Sequence, residues 1–125
     1  MSKVTQDIDR KMGHDMLLEK IHAERQHIRN LQMILKQRRG LVEVYSKQCQ
    51  RYKWQRYAAL RLQKEGAEVE NLDIYSITAK RKQKEAAYMS VINALKVRVV
   101  KEKIKNAQRR LSRLSAKFKA QSSEE

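Results

Sequence analysis

The chain has 125 residues, with 29 Lys and Arg against 14 Asp and Glu, a formal charge of +15, no proline, and one each of Phe, Trp and Cys. This composition excludes a large globular core and a disulfide framework and favours long helices. No apolar run approaches the roughly 20 residues that a membrane span needs. The opening segment MSKVTQDIDRKMG carries Asp7 and Asp9 and lacks the apolar stretch of a secretion signal. The cytoplasm is the expected location, where a lone Cys49 stays reduced.

Helix one is expected over about residues 5–64. Its apolar seam runs through Leu17, Ile21, Ile28, Leu31, Leu35, Val42, Tyr45, Cys49, Tyr52 and Ala59, with gaps at Glu24, Arg38 and Arg56. The alternating steps of three and four are those of a heptad seam. Upstream, Val4, Ile8 and Met12 follow steps of four, so the phase slips near Gly13. Gly40 lies off the seam and costs about 1 kcal/mol relative to Ala.

The segment KEGAEVENLD, residues 64–73, is acidic in a basic chain. It reads as a turn over about 65–72. Gly66 is suited to a helix C-cap, and Asn71 or Asp73 to capping the next helix. Glu70 and Asp73 then lie at a positive helix N-terminus.

Helix two is expected over about 73–121. Val97, Val100, Ile104, Ala107, Leu111, Leu114 and Phe118 fill seven consecutive seam positions. Before them, Tyr88, Ile92, Leu95 and Val99 form a shifted stripe, which implies a phase slip near residue 97. The two seams suggest an antiparallel pairing of Ile21 with Phe118, Ile28 with Leu111, Leu35 with Ile104 and Val42 with Val97. The midpoint of that register falls between Val69 and Glu70, inside the acidic turn. The expected fold is therefore all-α: one domain, a long antiparallel two-helix coiled-coil hairpin shaped as a rod, with both chain ends near one tip.

No catalytic constellation is visible, and no cofactor or small-molecule site is expected. His14, His22 and His27 are not spaced for a helical metal pair and read as surface residues. Cys49 falls on the seam and reads as a small core residue. The three glycines form no phosphate loop. YKWQRY, residues 52–57, interleaves aromatics with Lys53 and Arg56 as a base-stacking platform would; the favoured reading places Tyr52 in the seam with Trp54 and Tyr57 flanking it near the turn, and a protein-contact patch is the other alternative. KRKQK, residues 80–84, spreads around a helix as a solvated face. QRRLSRLSAKFK, residues 108–119, is basic and amphipathic and could suit a membrane or an acidic groove. Its apolar residues match the helix-one seam, so they are expected to pair within the chain.

The positive excess is shared by both halves: 15 basic and 7 acidic residues in 1–66, and 14 and 7 in 67–125. The partner is expected to be acidic: a protein surface, nucleic acid or an anionic membrane.

A basic two-helix hairpin whose second helix opens as ENLDIYSITAKRKQKEAAYMSVINAL resembles the FliJ/YscO-type central stalks of type III secretion and flagellar export. The similar features are Ile74 and Tyr75 at the start of helix two, the basic stretch after them, and heptads to the end. Gly40 is a small departure. The resemblance implies a non-catalytic stalk whose paired termini enter the pore of a hexameric secretion ATPase and stimulate it. Lys20, Arg25, Arg29, Arg109, Arg110, Arg113, Lys117 and Lys119 would then meet acidic ATPase residues. The turn, with Glu68, Glu70 and Asp73, would face an export gate protein. Two other classes fit the charge: a nucleic-acid-associated coiled coil, and a coiled-coil adaptor with no ATPase.

Overall fold

A computed structural model describes residues 3–123, with side chains from residue 13 onward. It is all-α, two long helices packed against each other, with no strand among the described residues. α1 spans Lys3–Lys64 and α2 spans Leu72–Ser123. The side chains of Val4, Ile8 and Met12, and with them the upstream stripe, lie outside the described residues. The helix pair divides into two compact units, one of Met1–Leu35 with Val99–Glu125 and one of Lys36–Arg98.

In the first unit the core is a cluster of Ile28, Leu31, Val100, Ile104 and Ala107, with Leu35 and Leu111 packed against it. Burying each Leu, Ile or Val side chain contributes about 1.5–3 kcal/mol. Leu17 and Ile21 are also buried, and Leu114 and Phe118 half-buried, as the seams require. The second unit is built differently. On α2 its buried seam residues are Ser76, Ala79, Ala86, Asn93 and Val97. On α1, Val42, Tyr45, Cys49 and Tyr52 are half-buried and Ala59 is buried. Large residues of one helix thus lie along a seam whose other side is small.

This overturns the expected slip near residue 97. The α2 seam keeps steps of three and four from Ser76 through Ala79, Gln83, Ala86, Ser90 and Asn93 to Val97 and on to Phe118, every position buried or half-buried. Tyr88, Leu95 and Val99 are instead 67%, 54% and 54% exposed, and only Ile92 of that stripe is half-buried. An apolar search misses the true seam because small and polar residues carry it.

The register also differs from expectation. In the first unit Phe118 stacks on His14 rather than meeting Ile21, with ring centroids 4.1 Å apart, so His14 is a packed residue and not a surface one. Arg110 bonds Glu24 at 3.0 Å. In the second unit Arg38 Nη1 donates to Asn93 Oδ1 at 3.2 Å, and Ser46 Oγ lies 3.0 Å from Ser90 Oγ. The expected pairing would have set Arg38 level with Lys101 and left Glu24 level with Ser115. Heptads repeat, so apolar spacing alone leaves the axial position open. Two of the three gaps in the α1 seam, the half-buried Glu24 and Arg38, find polar partners on α2 in the observed register.

The turn follows from its own residues. Gly66 adopts φ 72°, its N–H donates to Gln63 O, and Ala67 N–H donates to Leu62 O. This pair of bonds is the Schellman C-cap, which favours glycine at the left-handed position. Asn71, at φ 63°, precedes α2, and its carbonyl accepts from Tyr75 N–H. Asn is among the few other residues that tolerate this backbone.

Two glycines therefore give opposite expectations. Gly66→Ala should destabilise the fold by about 1–2 kcal/mol, because it forces a Cβ into the left-handed region. Gly40 is mid-helix with open space around it. Gly40→Ala should stabilise by about 0.5–1 kcal/mol. Thermal and urea unfolding of both variants checks the signs. The register has its own test. With Cys49 replaced by Ala, cysteines at positions 46 and 90 should form a disulfide within one chain. Failure to close there under mild oxidation would overturn the observed pairing.

Candidate partner-binding surfaces

The eight cations expected at a partner contact all lie in the first unit, and all are exposed. They do not form one patch. Arg109, Arg113 and Lys117 follow one another at four-residue steps on α2 and make a continuous strip. Lys20 and Arg25 flank the α1 seam on opposite sides, and Arg29 lies on the back of α1. Lys119 sits beyond the strip, next to the stacked Phe118.

Arg110 is a different kind of residue. Its guanidinium makes two 3.0 Å approaches to Glu24 Oε1, through Nε and Nη2. Glu24 retains only 18% side-chain exposure. Glu24 is a seam position, so this pair supplies charge compensation inside the helix interface. Arg110 is therefore part of the fold, and its reversal is no clean probe of a partner.

The strip is electrostatically costly. Like charges at i,i+4 destabilise a helix by a few tenths of a kcal/mol each. Among the described residues no ion pair engages Arg109, Arg113 or Lys117.

The acidic turn is split as well. Glu65 is held by Arg61 at 3.0 Å. Glu68 and Glu70 are exposed in the loop, and Asp73 lies in the first turn of α2. No ion pair engages these three among the described residues, and Asp73 complements the helix dipole.

The aromatic and basic motifs of the sequence have definite places in the fold. Trp54 and Tyr57 are more than half exposed, with Lys53 Nζ 5.9 Å from the Tyr57 ring. Tyr52 sits in the seam as expected, and Lys82 lies over its ring at 5.6 Å. Of the KRKQK segment, Lys82 is thus engaged and Gln83 half-buried in the seam, while Lys80, Arg81 and Lys84 stay exposed. Beside the seam runs a shallow furrow whose two depressions share Lys82; Ile74, Tyr75 and Ala79 line one, and Tyr45, Ala86 and Met89 the other. The exposed apolar residues on the outer side of α2 were legible as spacing: Ile77, Tyr88, Val91 and Leu95 fall on one side once the seam is fixed at Ser76, Ala79 and Gln83.

Cys49 is a half-buried seam residue, and His22 and His27 are exposed. No cluster of His, Cys, Asp and Glu able to hold a metal occurs among the described residues. No helix of the described residues is long and apolar enough to cross a membrane. No protein-family model, curated protein or solved structure matches the chain.

Arg110→Ala should lower stability by about 1 kcal/mol or more, because it strands a mostly buried carboxylate. Glu24→Gln should cost less, and the double variant Glu24→Leu/Arg110→Leu should recover most of the loss. Thermal unfolding of the cycle measures the coupling. A coupling near zero would place the pair among the inert surface pairs.

Proposed function

We propose that the chain is the non-catalytic central stalk of a type III secretion or flagellar export ATPase. On this reading the first unit, which carries the chain ends, is gripped by the ATPase hexamer and stimulates its hydrolysis. The acidic turn faces the export gate. The observation that carries the proposal is the strip of Arg109, Arg113 and Lys117, exposed and, among the described residues, without ion pairs. Folding gains nothing from these three charges, so a partner's acids account for them. The all-α helix pair and the resemblance of its second helix to FliJ/YscO-type stalks support the same reading.

A ring of identical subunits around two unlike helices makes unequal contacts. Those contacts bias the nucleotide states of the subunits differently, which is how a stalk without chemistry of its own accelerates hydrolysis. The chain needs stiffness and surface charge for this role, and no reactive group.

The test uses Arg109→Glu/Arg113→Glu/Lys117→Glu, leaving Arg110 in place. This variant should keep its helicity and melting temperature. It should lose capture by the purified ATPase and stimulation of ATP hydrolysis. A gel shift with DNA and RNA at near-physiological salt runs beside it. Tight nucleic-acid binding without ATPase capture by the native chain would overturn the stalk reading and favour a nucleic-acid-associated coiled coil. In the second unit, Glu68→Lys/Glu70→Lys should preserve folding and ATPase binding and reduce secretion. Normal secretion would show that the acidic turn is only a solvated loop.

A further inference from the structure

The back of α2 in the second unit has no structural employment. Ile77, Tyr88, Val91 and Leu95 occupy the side of the helix away from the seam, each more than half exposed. They are large side chains left in water while Ala79, Ala86 and Ser90 take the interior positions. Cations share this face: Arg81 and Lys84 fill the gap between Ile77 and Tyr88, and Arg98 follows Leu95. From Ile74 to Arg98 the helix has six cations and a single acid, Glu85, which lies 3.9 Å from Arg81.

We propose that this face of α2 binds the surface of an anionic membrane. Interfacial helices combine an apolar strip with Lys and Arg, and they lie in the plane of the headgroups with apolar side chains 5–10 Å deep. Aliphatic stems of Arg81 and Lys84 extend the apolar area while their charged heads reach phosphate. Tyr88, apolar in body and polar at its tip, suits the same depth. The strip is about 27 Å long at 1.5 Å per residue over Ile77–Leu95. It lies on the convex back of one helix, not in a groove between two.

Other occupants fit less well. A second copy would bring the same cations face to face. Nucleic acid would neutralise the cations and leave the aliphatic residues uncovered. A partner helix would have to bring acids to Arg81, Lys84 and Arg98, which an anionic headgroup layer supplies along its whole surface. The proposal does not rest on the ATPase reading, and its test contains no ATPase.

The full chain is sedimented with vesicles of phosphatidylcholine alone and with vesicles one quarter phosphatidylglycerol. It should bind the anionic vesicles and bind neutral ones weakly. Val91→Ser/Leu95→Ser changes two exposed residues and no charge, so circular dichroism should be native, and binding should fall at least about tenfold. Arg81→Gln/Lys84→Gln should reduce the preference for anionic lipid. In a Trp54→Phe background, Tyr88→Trp should show a blue shift in emission on vesicle addition. Absence of binding to anionic vesicles overturns the proposal. Unchanged binding of Val91→Ser/Leu95→Ser also overturns it, since charge alone then suffices. So does capture of an acidic helical peptide through these residues without vesicle binding.

Discussion

A continuous seam between two helices is the constraint on which the rest depends. Among the described residues every buried side chain lies on this seam, so each seam position must be filled by something the opposite helix accepts. Glu24 and Arg38 are poor candidates for burial by themselves. A charge left without a partner at these half-buried positions would cost about 1 kcal/mol or more. Arg110 and Asn93 make those positions tolerable, and in doing so fix the axial register. Asn93 is 2% exposed and has both ends of its amide engaged, with Nδ2 donating to Met89 O at 2.8 Å. A slide by one heptad would keep the apolar contacts and abandon these bonds. The polar pairs thus supply specificity, while the apolar cluster around Ile28 and Ile104 supplies stability.

The two units use different solutions to the same problem. In the first, both helices offer branched aliphatic residues. In the second, α2 offers Ala, Ser and Asn against the larger Tyr45 and Tyr52 of α1. Fewer large aliphatic residues are buried in the second arrangement, and large apolar residues of α2 lie on its outer side. Those exposed residues are therefore a consequence of the seam's composition. A sequence that needed only a stable helix pair would have exchanged Ala79 or Ser90 with the leucine and isoleucine now in water.

Much of the fold was legible because helix and turn signals are local. Absence of proline, heptad steps and Gly66 with its acidic neighbours place two helices and a cap with little ambiguity. The seam of α1 was read correctly down to its gaps. The α2 seam before Val97 was not, since its residues are small or polar and the eye follows Tyr88, Leu95 and Val99 instead. Register failed for a related reason. It depends on which polar residues meet across the helices, and hydrophobic spacing carries no such information. Among the candidate site residues, exposure was foreseeable from charge. The pairing of Arg110 with Glu24 was not, because it joins residues 86 apart in the chain.

The charge balance limits what the ion pairs explain. Four ion pairs occur among the described residues, and three are exposed i,i+4 contacts: Glu43 with Lys47, Arg61 with Glu65, and Arg81 with Glu85. Such pairs contribute about 0.3–0.5 kcal/mol each. Only Glu24 with Arg110 is set into the helix interface. A chain with 29 cations and 14 acids thus uses few of its charges for folding. Self-repulsion is weak between distant sites, because salt screens beyond roughly 8 Å. Within one strip, such as Arg109, Arg113 and Lys117, neighbours are closer than that and the penalty is real. A single helix, α2, consequently carries a seam for α1, a cation strip in one unit and an apolar-cationic back in the other. The seam explains the fold. The other two surfaces work against it, one by repulsion and one by exposing apolar area, and a pair of external surfaces that compensate each cost separately is the simplest physical account of why both are there.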